Sequence, residues 1–301
     1  MSAFTIDAIP GRGESRAPSP TSPPFLFSVD LEDVRTMIPD GERYAARLPA
    51  NVESYLACLE RHDLRATFFT VGNVARRYPD LIRRIAAAGH ELACHTSEHT
   101  PLERLEADAL ERDLERNRED LERAGAGRVR GFRAPIFSLT AKTAWAYDVL
   151  AKLGFTYSSS VLPHRNPFYG WDSFGTESTR TASGVWEIPL SVSGAFGRKM
   201  PFAGGVYFRV LPAALVRWLV ARRLASGRPV VGYFHPYDVD VDQERFMHPE
   251  LGDSRVLNAL MYVNRGRLLD RLDEIFAMGA PVVRYDGYVE NVLEKVASAH
   301  A

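Results

Sequence analysis

His95 and His99 stand four residues apart in the segment His95-Thr96-Ser97-Glu98-His99. On a helical turn that spacing puts both imidazoles on one face, within reach of one ion. Two histidines and a carboxylate leave coordination positions open, which a catalytic metal needs. Carboxylates are at hand in Asp30-Leu31-Glu32-Asp33, three in four positions. Two roles are required of them: one holds the metal, and another stays free to take a proton from water. A third histidine, His235, heads His235-Pro236-Tyr237-Asp238, and Arg133-Ala134-Pro135 adds a cation suited to orienting a carboxylate base and holding it charged. The chemistry that such a set points to is metal-assisted hydrolysis with an acid and a base.

These four segments need elements that bring them together. Each follows a short apolar run. Phe25 to Val29 reads as a buried strand opening onto Asp30, Glu91 to Cys94 as one opening onto His95, and Val230 to Phe234 as one opening onto His235, while Arg130 to Phe132 precedes Arg133. Ala66 to Val71, Phe155 to Tyr157, Trp186 to Leu190 and Pro281 to Tyr285 are further strand candidates. Between them lie helical patterns over 51–62, from Pro79 to a stop at Gly89, over 103–123 and near 141–153. Strands alternating with helices argue for parallel βαβ units. The expected fold is α/β, a single distorted (β/α) barrel of about seven parallel strands with long loops from 160–210 over its C-terminal face. In such barrels the chemistry sits at the C-terminal ends of the strands. Cys94 is expected to be a small buried strand residue, turned away from His95 by alternation.

Composition bounds the class. The 301 residues are 46% hydrophobic and 25% charged, as in a soluble globular protein. With 37 Lys and Arg against 38 Asp and Glu, nothing favours nucleic acid as a partner. No apolar stretch approaches the roughly 20 residues that span a bilayer. Two cysteines exclude a disulfide framework and favour a reducing compartment. Met1 to Pro10 has neither the basic start nor the apolar core of a secretory signal, so a cytoplasmic location is expected. Residues 1–24, rich in Pro, Gly and Ser, read as a disordered leader to a domain over 25–301.

Taken in order, the motifs resemble the polysaccharide deacetylase family, carbohydrate esterase family 4. Asp30 to Asp33 is similar to its first motif and His95 to His99 to its metal motif. Thr67-Phe68-Phe69 with Gly72, and Ala88 to Glu91, look like the framework between them. Arg133-Ala134-Pro135 looks like the third motif and the strand ending at His235 like the last. Ser28 to Asp33, Glu187-Ile188-Pro189, Gly204 to Arg209 and Phe234-His235-Pro236 are most similar to the branch tied to bacterial exopolysaccharide and surface-glycan loci.

The resemblance implies hydrolysis of an N-acetyl group on an amino sugar. It implies one divalent ion, Zn²⁺ before Co²⁺ or Ni²⁺, held by His95, His99 and a carboxylate. Asp33 is preferred over Glu32 for that place because its short side chain matches the family's ligand. Asp30 would be the base, His235 the acid and Arg133 the orienting cation, with a backbone N–H after Pro135, that of Ile136, on the oxyanion. Trp171 and Tyr237 are expected to bind the sugar, with Tyr169, Trp186 and Tyr233 as further stacking candidates. The chain departs from the family at Ser158, where an Asp is usual, so Asp172, Glu187 and Asp238 are the candidates to orient His235. Two other readings stand beside this one: an amidase or cyclic-imide hydrolase acting on a non-sugar substrate, and a non-catalytic glycan-binding protein.

Overall fold

The computed structural model describes residues 22–164, 169–194, 199–249 and 251–299. The expected leader lies, over residues 1–21, outside the described residues, as do 165–168 and 195–198 of the loop region.

Eight strands form one curled sheet: β1 (Phe25–Leu31), β2 (Thr67–Thr70), β3 (Glu91–Cys94), β4 (Gly131–Phe132), β5 (Tyr157–Ser158), β6 (Thr179–Arg180), β7 (Trp186–Glu187) and β10 (Val230–Phe234). Their order is β10-β1-β2-β3-β4-β5-β7-β6, and only the β6–β7 pairing is antiparallel. The remaining seven strands run parallel, as the sequence predicts. β8 (Val192–Ser193) and β9 (Met200–Pro201) form a separate hairpin-like pair. The curl is laced where its ends approach: Ser191 N–H donates to the Val231 carbonyl at 3.4 Å, and Val231 N–H donates to Ser191 Oγ at 2.8 Å.

The crossovers carry α1 (Leu48–Arg61), α2 (Gly72–Arg77), α3 (Pro79–Ala87), α4 (Ala107–Arg123) and α5 (Ala146–Lys152). After the loops come α6 (Gly205–Val210), α7 (Ala213–Ala225), α8 (Arg255–Met261), α9 (Leu268–Phe276) and α10 (Tyr285–Tyr288). Gly89 ends the α3 turn with φ +81°, a left-handed conformation that costs a side-chain residue more.

Alternation along β1 sorts the interior. Phe25, Phe27, Val29 and Leu31 face the helices and join the larger core, with Phe27 stacked on Phe234 at 5.0 Å. Burying each such side chain is worth about 1.5–3 kcal/mol. Leu26 faces inward with Phe69, Ala93, Tyr157 and Tyr285. Gly131 belongs to this inner layer by necessity, since a Cβ there would fall 2.0 Å from the Tyr157 ring.

One strand expectation is corrected. Pro281 to Tyr285 makes only an isolated bridge, Phe25 to Val282, because Tyr285 already opens α10. There Tyr285 plugs the lower end of the curl, its ring stacked on Tyr157 at 5.8 Å. No helix among the described residues is long and apolar enough to cross a membrane.

Candidate active site

Asp30 is the last inward residue of β1, and Arg133 follows β4 directly. Arg133 is fully buried, and all five of its donors are used. Its Nη1 reaches Asp30 Oδ1 at 2.6 Å and Ser28 Oγ at 2.7 Å. Nε and Nη2 reach the Ser159 carbonyl (2.8 Å), Ser159 Oγ (3.0 Å) and Tyr285 OH (3.0 Å). Its guanidinium lies over the Phe69 ring at 3.9 Å. A buried cation held this completely fixes one oxygen of Asp30 and leaves the other, Oδ2, facing His235 Nε2 at 4.0 Å.

His95 follows β3. Its Nδ1 donates to the Arg133 carbonyl at 2.8 Å, which orients Nε2 toward Glu32 Oε2, 3.9 Å away. His99 Nε2 lies 2.8 Å from the same oxygen, and the two imidazole centroids are 5.0 Å apart. The pair does not share a helical turn, as the spacing suggested. Thr96 and His99 take left-handed φ values of 63° and 55°, and a tight loop folds one ring back on the other. That loop is stitched to α2 and α4: Gly72 N–H and Asn117 Nδ2 donate to the Thr96 carbonyl, and Ser97 N–H donates to Asp113 Oδ1.

Glu32, His95 and His99 bring one oxygen and two nitrogens within 4.8 Å of one another, all three residues buried. Asp33 does not join them, contrary to the preference stated above. Its carboxylate caps the turn at Val34–Met37 and accepts from Arg35 N, Nε and Nη2, the last at 2.6 Å. The reason is alternation carried two residues past β1: Asp30 and Glu32 fall on the inner side, Leu31 and Asp33 on the outer. Two imidazoles and a carboxylate, with one imidazole oriented by a carbonyl, are a donor set that fits a divalent cation. Cys94 points into the outer core, and burial pushes its thiol up, so it offers no ligand.

His235 follows β10. Its Nδ1 lies 3.2 Å from Asp238 Oδ2, which also accepts from the His235 backbone N–H at 2.8 Å. Asp238 Oδ1 takes Nε of the fully buried Arg209 at 2.9 Å. Of the three candidates, then, Asp238 meets His235. Asp172 pairs with Lys199 at 2.8 Å. Glu187 accepts from Ser160 N, Val161 N and Tyr147 OH below the site. Burial works against charging His235, but Asp238, with Glu32 and Asp30, holds it up at about 9. Burial and neighbouring His99 push His95 down to about 3. Burial raises Glu32, yet the three histidines around it leave it below the usual carboxylate range.

A cleft of about 570 Å³ opens over these groups. Ile136, Phe137, Tyr169, Tyr233 and Tyr237 help to line it. Tyr237 stacks on His235 at 4.7 Å. Ile136 and Phe137 hold φ of 48° and 56°, strained for a β-branched and an aromatic side chain, directly after the buried Pro135. Trp171 is elsewhere: it packs edge-on to Phe174 at 4.9 Å, against the outer core. Trp186 is buried inside the curl, its indole donating to Glu294. Sequence reasoning passed over Arg209 and His248. Arg209 ends the run Gly204 to Arg209, a signal that could have found it, whereas His248 carries no motif.

Residues 38–158 match the family model described as Polysaccharide deacetylase, and residues 159–280 match one described as a domain of unknown function, DUF3473. The chain is 33% identical over 97 residues to a chitooligosaccharide deacetylase of Rhizobium leguminosarum bv. trifolii, covering 32% of this chain and 42% of that protein. It is 38% identical over 103 residues to one of Sinorhizobium fredii, 34% of this chain and 45% of that protein. It is 31% identical over 77 residues to a peptidoglycan-N-acetylglucosamine deacetylase of Bacillus cereus, 26% and 28% of the two chains. The chain thus matches less than half the length of each. A crystal structure from Mycobacterium smegmatis, of a protein assigned to the polysaccharide deacetylases, shares the fold with a TM-score of 0.63 at 22% identity over 93% of both chains. The first three of the ordered motifs lie within or beside the segment that matches the polysaccharide deacetylase model, and the likeness of fold extends over nearly the whole chain.

Proposed function

We propose that the protein is a metal-dependent carbohydrate N-deacetylase acting on an acetylated amino sugar in a glycan or glycan precursor. The carrying observation is the pairing of Asp30 with His235 across 4.0 Å, beside the Glu32–His95–His99 triplet and under an open cleft. Glu32, His95 and His99 would hold one divalent cation, Zn²⁺ in the first place. Such a cation lowers the pKa of a bound water toward 7 and polarises an amide carbonyl.

The chain's own groups account for the proton movements. Asp30 Oδ2 takes a proton from the attacking water, while Arg133 anchors Oδ1 and keeps the carboxylate aimed. Asp238 holds Nδ1 of His235, so Nε2 carries the proton into the cleft. His235 Nε2 gives that proton to the amine nitrogen as the C–N bond breaks. Water and the acetamide become acetate and a free amino sugar, and the proton on Asp30 restores the imidazolium. The Ile136 backbone N–H, on the lining of the cleft, is the donor assigned to the developing oxyanion in this reading. Tyr169, Tyr233 and Tyr237 are the aromatic faces offered to a sugar.

The surface-polysaccharide setting rests on the resemblance of the sequence runs. A cytoplasmic setting rests on the free, buried Cys58 and Cys94, which suit a reducing compartment.

Acetate release from N-acetylated oligosaccharides tests the reading. Wild-type protein should release acetate, and Asp30→Asn and His235→Ala should each slow release by about 10²–10⁴. Full turnover by Asp30→Asn, or turnover of cyclic imides with no acetate from any sugar, would overturn it.

A further inference from the structure

His248 is a cleft residue that the proton movements above do not use. It borders the same cleft as Asp30, Glu32 and His235, although only 3% exposed. Its Nε2 meets Arg265 Nη2 at 3.3 Å and Gln243 Nε2 at 3.3 Å. A guanidinium can only donate. The Gln243 amide is oriented because its Oε1 accepts from Arg265 Nη1 at 3.0 Å, which leaves its NH₂ facing the imidazole. Two donors therefore converge on Nε2, and the single ring proton sits on Nδ1. Burial and the Arg265 charge push this imidazole down to about 3, so it stays neutral in working conditions. Among the described residues Nδ1 has no hydrogen-bond partner in the protein.

Arg265 sets the sign of what Nδ1–H would meet. It is 4% exposed, and its other bonds go to neutral oxygens: the Met261 carbonyl at 2.8 Å, the Asp240 carbonyl at 3.1 Å and Gln243. Asp238, whose field it feels, is already committed to Arg209 and His235. Arg104, exposed, is a second cation in the cleft lining. Tyr237 separates His248 from His235 by ring contacts of 5.1 and 4.7 Å. A group bound at His248 therefore lies one ring beyond the proposed acid.

We infer that His248, backed by Arg265 and joined by Arg104, is a specificity residue whose Nδ1–H receives an anionic oxygen, carboxylate or phosphate, on the unit next to the acetylated sugar. That the neighbouring sugar is acetylated rests on the proposed deacetylase function; the anionic site rests on these contacts alone.

Calorimetric titration of the full chain tests this with three probes: neutral chitotriose, a glucuronic acid–N-acetylglucosamine tetrasaccharide and UDP-N-acetylglucosamine. At least one acidic probe should bind about tenfold more tightly than chitotriose, the worth of a hydrogen bond to a charged group. Which one does so separates carboxylate from phosphate. The preference should vanish in His248→Gln, whose amide reaches the Nε2 position. It should persist in His248→Asn, whose amide N–H occupies the Nδ1 position. Arg104→Gln, on an exposed side chain, should weaken the preference without lowering the melting temperature, and decides the matter if His248→Gln is unstable. Equal binding of chitotriose, no binding of either acidic probe, or an undiminished preference in both His248→Gln and Arg104→Gln would overturn the inference. An anionic preference with no acetate released would remove the deacetylase reading alone; acetate release with no such preference would remove this one alone.

Discussion

At the residue scale, the site turns on which carboxylate faces inward. Asp30 and Glu32 share a side by the period of two along an extended chain, and Asp33 is turned outward to Arg35. Side-chain length favours Asp33 as the ligand, but the parity legible in Asp30-Leu31-Glu32-Asp33 turns Glu32 inward. His235, His95, His99, Arg133 and Asp30 were all legible as strand-exit residues. The Asp238 partner was one of three candidates, because nothing in a sequence shows that Arg209, 29 positions upstream, would hold it. A pH experiment follows from this contact. In the metal-free protein His235 titrates near 9 against an ordinary value of about 6.5. A raised imidazole stabilises the fold fully below about pH 6.5, and that contribution is lost as pH rises through 9. Urea unfolding of chelated wild type should therefore lose up to about 3 kcal/mol between pH 6.5 and 9.5 relative to Asp238→Asn. Parallel profiles would show that Asp238 does not hold the charge.

At the scale of elements, strand exits place the chemistry and a helix holds it there. β3, β10 and the crossover helix α3 were readable from apolar runs, Pro79 and Gly89. The four-residue spacing of His95 and His99 fits a helical turn and a left-handed loop alike, and the chain takes the loop. What decides between them is distant: Asn117, in the middle of α4, donates from Nδ2 to the carbonyls of Thr70 and Thr96, tying β2 to the loop. Asn117→Ala should cost about 1–3 kcal/mol in a urea melt, since it leaves buried carbonyls with one partner fewer. It should also weaken divalent-metal binding by about 10–100-fold, as losing an outer support of ligating residues does. Unchanged metal affinity would mean that the loop holds its shape without α4. The late candidate strand at Pro281 failed for a different reason: Tyr285 is needed as a plug beneath Arg133, and the chain turns helical to deliver it.

At the scale of the whole molecule, no single stretch contains the site. Asp30 and Glu32 precede residue 38, the histidine pair and Arg133 lie within 38–158, and His235, Asp238 and Arg209 lie within 159–280. The break between the two family matches falls at β5, which pairs with β4 on one side and β7 on the other. β1 likewise needs β10, and Phe27 needs Phe234. The parallel βαβ pattern announced the barrel, and the fold likeness over 93% of both chains extends past the same break. A fragment of residues 22–158 should therefore lack cooperative unfolding and expose its apolar edge to a hydrophobic dye, whereas 22–301 should unfold in one step. A fragment with a sharp melt of its own would show two independent units.

The most direct measurement is metal per chain by elemental analysis, on wild type, His95→Ala/His99→Ala, Glu32→Gln and Asp33→Asn purified identically. The account predicts about one divalent ion per chain in wild type and in Asp33→Asn, and none in the other two. Metal kept by Glu32→Gln and lost by Asp33→Asn, or no ion in wild type after incubation with Zn²⁺ or Co²⁺, would contradict it.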